Sequence, residues 1–123
     1  MEVVMKRRLV WLCLVSMIAC NSPTGPLGVS AAHPSLQLQN SSATPIYYFA
    51  VERESAALID WAVCTDAPAC ATVPAHGRTV VPYDQIVGYA PGERQAIVYW
   101  WHLEPLGAGQ FRADSIRVVV VGL

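Results

Sequence analysis

Positive charge is scarce in this 123-residue chain once its first residues are set aside. Its only lysine, Lys6, lies beside Arg7 and Arg8, and the part after Cys20 has five arginines against eight acidic residues, a net charge of −3. Nucleic-acid binding depends on clustered Lys and Arg that neutralise phosphates, and attraction to anionic lipid depends on a polybasic patch. The sequence therefore predicts no nucleic-acid partner, and any membrane contact must have another source.

The chain also lacks the short motifs that mark common catalytic and metal sites. It has no GxSxG elbow, no HExxH pair and no phosphate-binding glycine loop. Cys64 and Cys70 are too far apart in sequence for a CxxC redox pair or a usual zinc pair. We therefore predict a protein without catalytic activity, metal or cofactor. A small secreted hydrolase or inhibitor that uses His76 or His102 is the alternative.

No apolar run is long enough to predict a transmembrane helix, which needs about 20 residues. The apolar run near the N-terminus extends only from Leu9 to Ile18, follows the basic cluster and precedes Ala19. A basic start, a short apolar stretch and a small residue before the cleavage point are typical of a secretory signal peptide. We expect residues 1–19 to be removed on export.

The sequence Met17-Ile18-Ala19-Cys20 resembles the lipobox of bacterial lipoproteins. The resemblance implies a diacylglycerol on the Cys20 thiol and an acyl group such as palmitate on the new amino terminus, and two or three chains anchor a protein stably. It also implies a place in the cell envelope, at the outer membrane or cell surface rather than the inner membrane, because Asn21 replaces the Asp that signals retention. The alternatives are a retained helix and simple secretion, with a cleavage site after Ser30-Ala31-Ala32.

Residues 21–34 hold three prolines and two glycines among few bulky apolar side chains. A segment of this composition buries too little surface to become ordered. We interpret residues 20–34 as a lipid-anchored flexible linker and residues 35–123 as one domain, whose length suits a single modest core.

Apolar residues alternate with polar ones over much of 35–123, and turn residues separate the alternating stretches. The pattern predicts strands at 35–39, 46–52, 58–63, 78–81, 95–103 and 111–123, with a turn at 40–45 and a loop at 104–110. Six or seven short strands favour an all-β fold, a small antiparallel β-sandwich. The stretch from Leu36 to Val51 resembles the first hairpin of immunoglobulin-like bacterial surface domains. The whole domain resembles small bacterial lipoprotein domains that carry no assigned function.

Cys64 and Cys70 enclose a short loop that contains Asp66 and Pro68. An exported protein meets an oxidising compartment, where a structural disulfide is the usual state of a cysteine pair. We predict a Cys64–Cys70 disulfide that stabilises the fold by about 2 kcal/mol. A metal site that includes a histidine and a pair of free thiols are the alternatives.

The longest predicted strand places two adjacent tryptophans on opposite faces. Tyr99 and Trp101 share one face, and Trp100 and His102 share the other. An exposed Trp beside a Tyr can stack on a sugar or anchor a protein, so these four residues form the candidate binding face, unless loops or the linker cover the rings.

The predicted function is a structural or binding module for a protein or glycan. The alternative is a subunit of a larger envelope complex that pairs through the strand Val118–Val121.

Overall fold

The structure is a computed structural model that describes residues 25–123. Its elements, in chain order, are β1 (Leu27–Ala32), β2 (Ser35–Asn40), β3 (Ile46–Glu52), α1 (Arg53–Ala56), a 3-10 turn (Ala67–Ala69), β4 (Thr72–Val73), β5 (Arg78–Pro82), a 3-10 turn (Tyr83–Gln85), β6 (Gln95–Trp101), β7 (Leu103–Gly107), β8 (Gln110–Ala113) and β9 (Arg117–Gly122). The predicted leader, Cys20 and the first part of the predicted linker lie outside the described residues.

Seven of the strands form two antiparallel sheets that pack face to face. The first sheet has the order β1-β2-β5 and the second has the order β4-β3-β6-β9, whereas β7 and β8 form a separate hairpin. These findings confirm the predicted all-β antiparallel sandwich. The β7–β8 hairpin brings the described residues to nine strands, where the sequence predicted six or seven.

The core lies between the two sheets because alternate residues of each strand point inward. Leu36 and Leu38 of β2 and Val81 of β5 line it from the first sheet, and Val98 and Trp100 of β6 line it from the second. All five are almost inaccessible to water. β2, β5 and β6 therefore supply the part of the core that joins the two sheets.

A second apolar layer covers the opposite side of the second sheet. Residues 57–71, which we call the covering segment, lay Trp61 across this side. The ring of Trp61 lies 4.7 Å from that of Phe49, 4.9 Å from that of Tyr99 and 5.8 Å from that of Trp101, measured between ring centroids. The second sheet is therefore buried on both faces where the covering segment crosses it.

The covering segment corrects one predicted strand. The strands predicted at 35–39, 46–52 and 78–81 are confirmed, but residues 58–63 pair with no strand of the described chain. Of the apolar residues that suggested a strand, Trp61 lies on the face of a sheet, whereas Leu58 is 85% exposed. An apolar side chain can be buried on the face of a sheet although the backbone of its own segment forms no hydrogen bonds with a strand.

The flexible-linker interpretation is wrong for the residues that form β1. This strand pairs with β2 along its whole length, from Leu27 opposite Asn40 to Ala32 opposite Ser35. The prolines at 26 and 34 flank the strand and so remove no hydrogen bond from its ladder. The domain therefore begins before Leu27 rather than at Ser35, and a cleavage after Ala32 would remove an entire strand.

The C-terminal part differs from the prediction of a loop at 104–110 and one strand at 111–123. The chain forms the β7–β8 hairpin there, and β9 begins only at Arg117. The turn of this hairpin uses Gly107, Ala108 and Gly109, whose φ angles of 89°, 53° and 75° lie in the left-handed region that favours glycine. The glycines that suggested a loop thus make a tight turn between two short strands.

Candidate functional site

β9 is the last strand of the second sheet and is paired on one side only. Within residues 25–123 its ladder partners all lie on β6, in a register that runs from Trp100 opposite Arg117 to Gln95 opposite Gly122 without a bulge. An unpaired strand edge offers a row of N–H and C=O groups to which another strand can bond. The outer edge of β9 is therefore the candidate interaction site.

The hydrogen bonding of the chain identifies the backbone groups that face outward. Leu123 N donates to Arg94 O at 2.8 Å, so the backbone of Leu123 faces β6. Because the direction of backbone groups alternates along a strand, the odd-numbered residues of β9 also face β6. Val118, Val120 and Gly122 consequently direct their N–H and C=O groups away from the sheet.

Apolar side chains accompany these outward-facing groups. Val118 is 54% exposed and Val120 is 52% exposed. They lie opposite Tyr99 and Ile97 on the face that the covering segment shares, but beyond the rings that Trp61 covers. The edge thus combines unpaired backbone with exposed β-branched side chains, which favour pairing with another strand.

Arg117, the charged residue of β9, is turned back onto its own chain. Its guanidinium lies 4.8 Å from the centroid of the Trp100 ring, and its Nη1 lies 3.8 Å from Asp114 Oδ2. Burial alone would raise the pKa of Asp114, but hydrogen bonds from the backbone N–H groups of His102 and Ser115 and the charge of Arg117 outweigh it, and that pKa is lowered. The outer edge from 118 to 122 therefore carries no charged side chain.

Of the other edge strands, β4 and β5 are protected, whereas β1 has six uncharged residues and is paired only with β2 among the described residues. β4 is only two residues long and is followed by Pro74. β5 begins with the charged Arg78 and ends with Pro82. Short strands, charged residues and prolines are the usual means by which proteins prevent strand addition. β9 has six residues and none of these features beyond Arg117 at its start.

Two shallow pockets lie where the start of β9 passes β1. One, of about 520 Å³, lies between residues 25–27, Trp100, His102 and residues 117–119. The other, of about 530 Å³, is lined by residues 27–30, residues 37–39, Arg78 and residues 118–119. The start of β9 therefore passes close to β1, and the two pockets lie in the shallow space between these strands.

The structure separates the four residues of the candidate binding face. Trp100 is 4% exposed in the core, and Trp101 is 1% exposed under the covering segment, where its Nε1 donates to the carbonyl of Cys64 at 3.1 Å. Tyr99 and His102 are half-buried on opposite sides of the sheet. Both indole rings are covered, which was the alternative to an exposed binding face. The four residues therefore do not share one exposed aromatic surface.

The predicted disulfide is confirmed. Cys64 and Cys70 are covalently joined, with Cα atoms 5.7 Å apart. Between them, the 3-10 turn with Pro68 at its second residue folds the loop back on itself. The disulfide therefore closes the part of the covering segment that holds the Trp101 indole.

The two histidines of the hydrolase alternative occupy different settings. His76 is an exposed turn residue with a φ of 52°. His102 has its Nε2 at 3.3 Å from Ser42 Oγ and its Nδ1 at 3.7 Å from Asp114 Oδ2, a grouping that sequence reasoning missed. Ser42 Oγ also lies 2.6 Å from Asn40 Oδ1, an acceptor, so the hydroxyl donates its proton there rather than to His102. This bonding joins the 40–44 turn to the loop before β9.

Three glutamates meet at the end of β3, another grouping that the sequence did not indicate. Carboxylate oxygens of Glu52, Glu54 and Glu93 lie within 4.8 Å of one another, and such oxygens are suitable ligands for a divalent cation. However, both oxygens of Glu52, which is 3% exposed, already accept hydrogen bonds at 2.8 Å from the N–H groups of Glu54 and Ser55. This arrangement is the N-cap of α1.

The pKa values of two of these glutamates are shifted in opposite directions. The hydrogen bond from the backbone N–H of Glu54 is the main cause that lowers the pKa of Glu52. Desolvation, followed by the negative charge of Glu52, raises the pKa of Glu93. The cluster therefore stabilises a helical turn with one carboxylate and places a more readily protonated carboxyl group beside it.

No protein-family model matches the chain, and neither the curated proteins nor the solved structures include a match. Along residues 25–123, the helical segments are too short and too polar to cross a membrane.

Proposed function

We propose that this protein is a non-catalytic, lipid-anchored component of the bacterial cell envelope that binds a protein partner by strand addition to β9. The observation that carries the proposal is the open edge of β9, with the outward-facing backbone of Val118, Val120 and Gly122. In this proposal the protein acts as a structural subunit or adaptor within a larger envelope complex.

The chemistry of the edge defines the partner that it fits. An added strand would gain main-chain hydrogen bonds from three residues of β9 and contacts with two exposed valines. The partner segment should therefore be extended and uncharged, with apolar residues at alternate positions. A glycan partner has less support, because the indole rings that could stack on a sugar are covered.

Site-specific photo-crosslinking in living cells tests the proposed edge. A photoreactive amino acid at position 118 or 120 should give a covalent adduct with a discrete protein. The same amino acid at Val80, which is 54% exposed on the protected strand β5, should give none. Equal labelling at all three positions would indicate random collisions and would refute strand addition.

Mass spectrometry of the mature protein tests the anchor. We expect the chain to begin at Cys20, to carry a diacylglyceryl group on that residue and an amide-linked acyl chain, and to lack two hydrogens because of the Cys64–Cys70 disulfide. A mature chain that keeps residues 1–19, or that begins at Cys20 without lipid, would contradict the anchored location.

The position of His102 between Ser42 and Asp114 favours a hydrolase as the second candidate function. Catalysis would require the Ser42 hydroxyl to leave Asn40 and donate to His102 Nε2. A fluorophosphonate probe decides between the candidates. Labelling of the wild type that Ser42→Ala abolishes would support the hydrolase, whereas our leading proposal expects no labelling of either protein.

A further inference from the structure

We propose that the strand added to β9 is β9 of a second copy of this chain, so that the protein forms a two-fold symmetric dimer through this edge. The inference rests on the proposed function, since it takes β9 as the binding edge and identifies what binds there. Three features of the edge carry it: the spacing of its outward-facing groups, its lack of charge and the absence of a device that blocks pairing.

The outward-facing groups of β9 are symmetric about one residue. Val118 and Gly122 lie two residues on either side of Val120. If two copies pair antiparallel about a two-fold axis at Val120, this residue lies opposite Val120 of the second copy, and Val118 lies opposite its Gly122. Each of these three pairs exchanges two hydrogen bonds, so that every outward-facing group of both strands has a partner.

A two-fold axis also places like residues beside like, which restricts the sequences that can pair with themselves. A charged side chain near the axis would meet an identical charge, and directly opposed like charges destabilise a sheet. The segment 118–122 contains only valine and glycine. Arg117, just outside it, is held by the Trp100 ring and Asp114 of its own chain.

A partner of different sequence would impose no such neutrality on β9. It could equally well pair with an edge that carries charges complementary to its own. Opposed β-branched residues stabilise antiparallel pairs, and closed two-fold dimers are the commonest oligomers. The neutral, apolar and centred pattern of β9 therefore fits a second copy better than an unrelated strand.

Cysteine cross-linking of the full-length protein in its membrane tests the symmetry. Val120→Cys places two thiols opposite each other at the axis, so a short bis-maleimide should convert the protein into a covalent dimer. Val118→Cys faces Gly122 of the second copy and should give at least fivefold less dimer. Val80→Cys, equally exposed on β5, should give only background.

A second measurement separates this inference from the function on which it rests. Two differently tagged copies should co-purify, and Val120→Lys should reduce the recovered partner at least tenfold, whereas Val80→Lys should not. Circular dichroism would establish that both variants fold. If Val120→Cys gives no dimer but the photoreactive group at 120 still labels another protein, the dimer is refuted and strand addition stands. If neither reagent gives an adduct, both proposals fail.

Discussion

At the scale of single residues, the buried amide of Asn40 shows how a polar side chain fixes a turn. Its Nδ2 donates to the carbonyls of Thr44 and Val73 at 2.8 and 3.2 Å, and its Oδ1 accepts from the N–H and the hydroxyl of Ser42 at 2.9 and 2.6 Å. Only 1% of the residue is exposed. Asn40 therefore ties the turn after β2 to β4, and it explains why the predicted turn at 40–45 is found.

Replacement of Asn40 by alanine should destabilise the fold. The change removes the donor to the carbonyl of Val73 and the acceptor of the Ser42 N–H, and we expect the free energy of unfolding to fall by about 2–4 kcal/mol. Urea denaturation followed by tryptophan fluorescence measures it. Gln39→Ala, at the exposed neighbouring position, is the matched control and should change stability by no more than about 0.5 kcal/mol. Equal effects of the two substitutions would contradict this role.

Glu93 should make stability depend on pH. Because its pKa is raised in the folded chain, its stabilising effect is full below its unfolded value of 4.5 and is lost as the pH rises through the folded value. Glu93→Gln removes a negative charge that desolvation and the charge of Glu52 disfavour, so this variant should exceed the wild type in stability at about pH 8 and match it at about pH 3.5. Urea denaturation at both pH values measures the difference, and a gain confined to acid would contradict it.

At the scale of elements, ring packing, a hydrogen bond and a disulfide hold the covering segment in place on the second sheet. Trp61 of this segment packs against Trp101, and the carbonyl of Cys64 accepts a hydrogen bond from the indole of Trp101. The Cys64–Cys70 disulfide closes the end of the segment that makes this bond. The covering of the aromatic face is thus linked to a covalent bond that can be removed.

Substitution of both Cys64 and Cys70 by serine should loosen this cover. We expect the free energy of unfolding to fall by about 2 kcal/mol, since the short loop is no longer closed in the unfolded chain. The tryptophan emission should shift to longer wavelength because Trp61 and Trp101 gain contact with water. Treatment of the wild type with a reductant should reproduce both changes, and an unshifted emission in either sample would contradict the tether.

The strands that the sequence predicted well are those with clear alternation between a core face and a solvent face. β2 and β5 are of this kind, whereas β3 was predicted from its aromatic and β-branched residues because both of its faces are covered. β1 escaped prediction because the prolines and glycines of residues 21–34 suggested a flexible linker, whereas the strand is stabilised by pairing with β2. Residues 58–63 were mistaken for a strand because their apolar composition resembles one, although Trp61 packs on a sheet and Leu58 is exposed.

The candidate site could be predicted only in part. The run Val118–Val121 indicated a strand that can pair, but its place at the edge depends on the order of strands that are far apart in sequence, such as β3 beside β6. The contact of Ser42 with His102 joins residues that are 60 positions apart. Local patterns carry no information on such neighbours. Burial of both Trp100 and Trp101 likewise depends on segments that no local pattern assigns to them.

At the scale of the whole molecule, one core joins both sheets, and we expect the described domain to unfold in a single cooperative step. Leu36→Ala, in the centre of that core, should lower the free energy of unfolding by about 2–5 kcal/mol. Leu106→Ala, at a position 55% exposed in the hairpin, should change it by at most about 0.5 kcal/mol. Circular dichroism and fluorescence should give the same midpoint for each variant, and separate midpoints would contradict a shared core.

The early start of β1 affects how far the domain could stand from a bilayer. With the first strand beginning at Leu27, only residues 21–26 separate it from Cys20, a reach of about 20 Å when fully stretched. A lipid at Cys20 would thus keep the sandwich close to the headgroups, on the side where Gly25 lies near Trp100 and the start of β9. With so short a linker, neighbouring copies would meet by lateral diffusion. The density of the protein in the plane of the membrane would then set how often two β9 edges come together.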